Sequence, residues 1–176
     1  MARDTETLAL EIVTPTGVAL RADVTEVTTP GAGGEFGILP GHLPTLAALR
    51  TGLVRYFEGG AEHVVAVSHG FCEATLEKVI VLTEAFKRES DVDVVGVRSR
   101  LREVDEELEA WDGEITDPRR KELIEEEQWL ATQLELVGDP PPPQVREDTR
   151  FLEPERDEAP REVVDTSDDD EHQHEA

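Results

Sequence analysis

The sequence predicts a β plus α fold: an N-terminal antiparallel β-sandwich, then a C-terminal antiparallel two-helix hairpin, then a disordered acidic tail. Three observations carry that expectation. Up to about residue 89 the chain runs in short apolar/polar alternations broken by Gly and Pro. From Ser90 to Gly138 the apolar period lengthens to three and four. From Asp139 the chain turns to proline and carboxylate. The expected divisions are therefore 1–89, 90–138 and 139–176.

The elements follow in order. Leu8, Leu10 and Ile12 alternate with Ala9, Glu11 and Val13, the pattern of a half-buried strand. Thr14-Pro15-Thr16-Gly17 reads as a turn, with strands at Val18 to Leu20 and Val24 to Thr29. Gly31-Ala32-Gly33-Gly34 interrupts the chain, and Glu35 to Leu39 resumes extended structure before Pro40-Gly41. Gly52 to Phe57 and His63 to Val67 flank Glu58-Gly59-Gly60-Ala61 as a hairpin. A second hairpin pairs Phe71 to Leu76 with Val79 to Thr83. Around Val64-Val65 and Val79-Ile80-Val81-Leu82 both strand faces are apolar, so the outer face requires a helix or a partner protein as cover.

In the helical part, Val94, Val97, Leu101, Val104, Leu108 and Trp111 form one seam. Ser90 or Asp91 is the expected N-cap, and the helix should stop near Asp112-Gly113. Thr116 or Asp117 caps a second helix with Pro118 at its first position. Leu123, Leu130, Leu134 and Val137 mark its apolar face, and Gly138-Asp139-Pro140 ends it. A short connection folds the two helices back on each other.

The 176 residues include 41 acidic and 17 basic side chains, a net charge of −24. That balance argues against sequence-independent nucleic-acid binding, which needs clustered Lys and Arg, and against insertion into or adsorption on anionic lipid. No apolar run reaches membrane-span length, and Met1 to Glu6 lacks an apolar signal core. With Cys72 as its one cysteine, the chain has no internal disulfide framework and no multi-cysteine metal site. A soluble, intracellular protein is expected. The tail holds 14 acidic and 4 basic residues and six of the 11 prolines, so it reads as a solvating segment. Asp170, His172 and His174 on such a segment make at best a weak metal ligand set.

The search for chemistry is nearly empty. His69 and Cys72 are three apart, which in a strand puts them on opposite faces, so they form neither a metal clip nor a nucleophile–base pair. Gly31-Ala32-Gly33-Gly34-Glu35-Phe36 lacks the lysine of a phosphate loop. No cofactor, no metal and no catalytic residue is expected, and the residues alone describe a binding or structural module. A free-standing interaction adaptor with this architecture is the alternative reading. An enzymatic reading would need a pocket joining His42, His63 or His69 to a carboxylate.

One stretch says more. Pro30-Gly31-Ala32-Gly33-Gly34-Glu35-Phe36-Gly37-Ile38-Leu39-Pro40-Gly41-His42-Leu43-Pro44-Thr45-Leu46 closely resembles the signature of the epsilon subunit of bacterial F-type, proton-driven ATP synthases. The resemblance continues through Ile12-Val13-Thr14-Pro15, Gly52-Leu53-Val54, Val67-Ser68-His69-Gly70-Phe71 and Val79-Ile80-Val81-Leu82-Thr83, and it covers residues 7 to about 137. It implies a non-catalytic subunit of the rotor, in the central stalk. By that resemblance Glu35, Phe36 and Gly37 face the c-subunit ring, and His42 faces the gamma subunit. A solvated Glu35 is an equally good reading of the residue itself. The complex would sit at the cytoplasmic face of the cell membrane, coupling proton-driven rotation to ATP synthesis.

The same resemblance implies a hairpin with two arrangements, compact on the sandwich or extended towards the alpha/beta catalytic head, where it blocks hydrolysis. Arg119, Arg120 and Lys121 could serve as the inhibitory basic cluster, although a merely solvated turn accounts for them too. Some relatives bind ATP through Asp-x-x-Arg. Here Asp93-Val94-Val95-Gly96 is degenerate, with glycine where arginine is expected and Arg98 two positions on. Gly96 also costs the helix about 1 kcal/mol relative to alanine.

Overall fold

The structure is a computed structural model and describes residues 7–142. Most of the predicted acidic tail, including Asp170, His172 and His174, lies outside the described residues. Ten strands precede two helices among the described residues: β1 Leu8–Thr14, β2 Gly17–Val24, β3 Glu26–Gly31, β4 Gly34–Ile38, β5 Thr45–Leu49, β6 Gly52–Glu58, β7 Ala61–Val67, β8 Gly70–Ala74, β9 Lys78–Thr83, β10 Phe86–Lys87, α1 Val94–Glu109 and α2 Pro118–Leu136.

Hydrogen bonding runs β10-β7-β6-β3-β5-β8-β9-β1-β2, with β4 on β3. The link between β3 and β5 is one pair, Gly31 with Leu49. The path therefore turns a corner there and divides into two sheets, β10-β7-β6-β3-β4 and β5-β8-β9-β1-β2. Their facing sides supply one core, with Leu8, Leu10, Ile12, Val24, Val79 and Val81 from one sheet and Val27, Ile38, Val54 and Val67 from the other. Each such side chain contributes about 1.5–3 kcal/mol when fully buried, so this core is the main support of the sandwich.

The pairings are antiparallel except that β1 and β9 run parallel, Ala9 with Lys78 through Val13 with Leu82. Nearly the whole sandwich separates these two strands in sequence, so no tight turn imposes an antiparallel partner. Two strands escape the sequence pattern. In β5 the outward residues Leu46 and Ala48 are as apolar as the inward Ala47 and Leu49, which erases the alternation. β10 has only two residues.

The hairpin follows its seam. Val97, Leu101, Val104 and Leu108 of α1 are buried against Leu123, Leu130 and Leu134 of α2. The α1 cap is Asp93 rather than Ser90 or Asp91: its Oδ1 accepts from the Gly96 amide at 3.1 Å. Glu89–Asp91 instead form a short 3₁₀ turn ahead of it. Asp117 caps α2, accepting from the Arg119 amide at 2.8 Å, with Pro118 at the first helical position. At the far end Gly138 takes φ 76°. Its amide donates to Glu135 at 3.0 Å and that of Asp139 to Leu134 at 2.9 Å, which closes α2 with a Schellman motif.

Ion pairs lace the two helices. Arg100 forks onto Glu126 (2.7 and 3.0 Å), Arg119 reaches Glu107 at 3.5 Å, and the Arg98 guanidinium donates to Asp139 at 2.8 Å. Arg100 holds the Glu126 carboxyl below its ordinary pKa by hydrogen bonding, with partial burial acting the other way. On α2, Thr132 and Gln133 are buried although they lie off the α1-facing stripe, and α2 is packed on β6 and β7. Leu53 and Ala66 oppose each other across β6 and β7, on the side turned away from the sandwich core, and both are buried. The compact arrangement of the hairpin thus roofs one sheet.

Candidate functional site

The other sheet has no such roof. Seven of the nine large apolar side chains that stand exposed among the described residues belong to it or to its rim: Val18, Leu39, Leu43, Leu46, Phe71, Leu76 and Leu82. Their placement follows from register. Ala48 pairs with Phe71, Phe71 with Leu82, Leu82 with Val13 and Val13 with Val18, so one outward row crosses all five strands. Because successive residues alternate faces, Cys72, Val81 and Ile12 beneath that row point into the core. Leu43 is 76 % exposed and Leu46 72 %, far from what an isolated domain gains by burying leucine.

The glycine-rich lip lies at the corner. β3 and β4 form a hairpin through Ala32-Gly33, with Gly31 opposite Gly34, Pro30 opposite Glu35 and Thr29 opposite Phe36. Gly31 is required by close approach: a Cβ there would stand 2.6 Å from the Gly34 carbonyl oxygen and 2.9 Å from the Phe36 ring. The Ala32 amide donates to Ala48 at 2.9 Å and that of Arg50 to Pro30 at 3.0 Å, tying the lip to β5. Glu35 and Gly37 face solvent, whereas Phe36 packs onto the core. The three residues assigned together from the resemblance therefore divide between two faces.

His42 is half-buried in the loop between β4 and β5, with exposed Leu39 and Leu43 on either side of it. Its Nδ1–H donates to the Leu43 carbonyl at 2.8 Å, and its backbone amide donates to Leu39 at 3.0 Å. The Gly41 amide reaches the Leu76 carbonyl at 3.2 Å, which joins this loop to the β8–β9 turn.

Among the described residues of this region no histidine is hydrogen-bonded to a carboxylate. Cys72 is buried, its thiol pushed up to about 11 by burial, with the Thr29 hydroxyl beside it acting weakly in the opposite direction. His69 stands exposed before β8, so the two sit on different sides as expected. His63 stacks on Tyr56, ring centroids 5.2 Å apart. His69 and Glu84 do both line an open groove of about 490 Å³, together with Val13, Gly70, Phe71 and Leu82. Among the described residues no group of three or more His, Cys, Asp or Glu could hold a metal ion.

On the hairpin, Asp93 is occupied as the α1 cap and Arg98 by Asp139. Arg119 pairs with Glu107 and Glu122, and Lys121 with Glu125 at 3.6 Å. Arg120 is half-buried and also has a partner. The sequence did not signal the burial of Glu127, which sits on the seam face between Leu123 and Leu130.

The fold is a two-sheet β-sandwich carrying a helical hairpin, with one sheet roofed, an exposed apolar face on the other, and a close-packed glycine lip at the corner. A family model described as the beta-sandwich domain of the ATP synthase Delta/Epsilon chain matches residues 7–89. Among curated proteins, the ATP synthase epsilon chain of Nitratidesulfovibrio vulgaris is 46 % identical over 93 residues, covering 53 % of this chain and 69 % of the relative. That of Halalkalibacterium halodurans is 39 % identical over 117 residues, covering 66 % and 88 %. The chain belongs to the ATP synthase epsilon chain family. A chain in the cryo-EM structure of the Euglena gracilis mitochondrial ATP synthase OSCP/F1/c-ring assembly shares the fold, with a TM-score of 0.62 at 21 % identity, covering 74 % of this chain and 80 % of that one. Among the described residues no helix is long and apolar enough to cross a membrane.

Proposed function

We propose that the chain is a non-catalytic rotor subunit of the central stalk, seated between gamma and the c-ring, and that it transmits proton-driven rotation without forming or breaking bonds. The observation that carries this reading is the outward row Ala48-Phe71-Leu82-Val13-Val18. An apolar face of that extent is costly to leave in water, and a permanent partner removes the cost. Gamma is that partner. His42, held between exposed Leu39 and Leu43 in the loop that leads into β5, is assigned to the same contact. The c-ring is met by the β4 edge, where Glu35 and the Gly37 backbone are presented while Phe36 anchors the strand from within. The complex works at the cytoplasmic face of the bacterial cell membrane.

The hairpin supplies regulation. Extending it towards the alpha and beta subunits requires α2 to uncover Leu53 and Ala66, and Arg119 to exchange Glu107 for an external carboxylate. The engagement of Asp93 and Arg98 within the hairpin supports a device that does not read ATP: millimolar ATP should leave the thermal midpoint of the full chain unchanged, and a rise would reject that part. Deleting residues 90–176 should raise ATP hydrolysis by the assembled complex, and an unchanged rate would remove the inhibitory role alone. The stalk role is tested by co-purification. Leu43→Glu should sharply lower recovery of gamma with the full chain, and wild-type recovery would count against the docking face.

A further inference from the structure

Resting on the reading that this face meets gamma, we infer that the groove beside the row is an anchoring pocket, and that its occupant is an apolar side chain of gamma flanked by a basic residue. The groove is cut where the end of β1, the start of β8 and the end of β9 come together. Gly70 lines it where β8 pairs with β9. A Cβ there would lie 1.9 Å from the Leu82 carbonyl oxygen, so no side chain can fill the position without separating β8 from β9. Phe71, Leu82 and Val13 form apolar walls, and their register continues directly into the exposed row.

The polar rim sets the charge of the guest. Thr83 is committed elsewhere, its hydroxyl donating to Ser68 at 2.9 Å, and the Thr14 hydroxyl donates to Gly17 at 3.1 Å. Among the described residues the Glu84 carboxylate and the His69 ring make no hydrogen bond or ion pair with another side chain, and both sit in solvent beside the groove. Glu73, exposed on the same face of β8 as Phe71, adds a second carboxylate. Lys78 and Arg21 are both drawn onto Glu11 (2.9 and 3.2 Å), away from the groove, and Arg50, exposed directly after β5 where Leu49 pairs with Gly70, forms no ion pair with Glu84. An apolar anchor with a cation beside it fills the cavity and pairs Glu84. A neutral or acidic neighbour would leave that carboxylate desolvated without compensation.

The test measures the affinity of the full chain for purified gamma at low and high salt, with Val13→Trp to fill the groove, Glu84→Lys to reverse the rim, and Leu46→Glu on the face outside the groove. Circular dichroism and the thermal midpoint establish that each variant folds. Val13→Trp should weaken binding about tenfold or more, as loss of an anchor does. Glu84→Lys should weaken it at low salt and approach wild type at high salt. If Leu46→Glu disrupts binding while Val13→Trp does not, the pocket is refuted and the gamma-facing reading stands. If Val13→Trp disrupts binding and Glu84→Lys does not, the basic flank is refuted. If all three bind like wild type, the gamma-facing reading itself fails.

Discussion

Gly70 and Thr83 show how little freedom single residues have here. Since a Cβ at 70 would strike the Leu82 carbonyl, Gly70→Ala must prise β8 from β9, and the full chain should be destabilised by several kcal/mol or fail to fold, read by denaturant titration. Thr83 presents a subtler case. Its hydroxyl donates to Ser68 at 2.9 Å, while the Ser68 hydroxyl accepts from the Ala85 amide at 2.9 Å and lies 3.0 Å from the Thr83 oxygen. Thr83→Val keeps the shape and removes both the donor to the Ser68 carbonyl and the oxygen beside the Ser68 hydroxyl, so a cost of about 1–3 kcal/mol is expected, and a neutral result would mean the buried pair is dispensable. The run Gly31-Ala32-Gly33-Gly34 was legible as a break between strands, whereas the close approaches at Gly31 and Gly70 were not. The inward turn of Phe36 was not, because Gly34 and Gly37 leave no alternation from which its face could be read.

At the scale of elements, the seam of α1 was readable from spacing alone, since Val97, Leu101, Val104 and Leu108 are the residues buried. Its start was not, because Ser90, Asp91 and Asp93 are all good caps, and only the 3₁₀ turn at Glu89–Asp91 moves the helix on to Asp93. Asp93→Ala should therefore cost about 1 kcal/mol, measured as lost stability of the full chain, whether or not nucleotide is present. The second face of α2 was also hidden: Thr132 and Gln133 are buried yet polar, and no apolar period marks them. Acid should loosen the hairpin. Glu126 has a folded pKa below 4.5, lowered first by its bond to Arg100. Its contribution is thus complete above the unfolded carboxylate value and disappears as pH falls through the folded one. The thermal midpoint should drop more steeply below pH 4.5 in wild type than in Glu126→Gln, and parallel curves would contradict the assignment.

For the whole molecule, the sequence showed that β7 and β9 are apolar on two faces and need cover, but not that the hairpin covers one of them and leaves the other exposed. The structure separates them. β6 and β7 receive α2, whereas β9 and its neighbours keep Phe71 and Leu82 half in water. Which sheet takes the helix depends on the return path of the chain after β10, a long-range property that no local pattern encodes. The proposed function rests on what is left uncovered: one apolar face offered to a partner, and one hairpin that would have to leave its sheet to act elsewhere. The docking face is the central claim, and it is tested most directly by the dissociation constant between gamma and the full chain carrying Phe71→Glu with Leu82→Glu. Val95→Glu with Ile115→Glu, which alters the exposed apolar residues of the hairpin, is the control. The account predicts that the sheet variant loses gamma while the hairpin variant binds as wild type. Equal binding by both would contradict it.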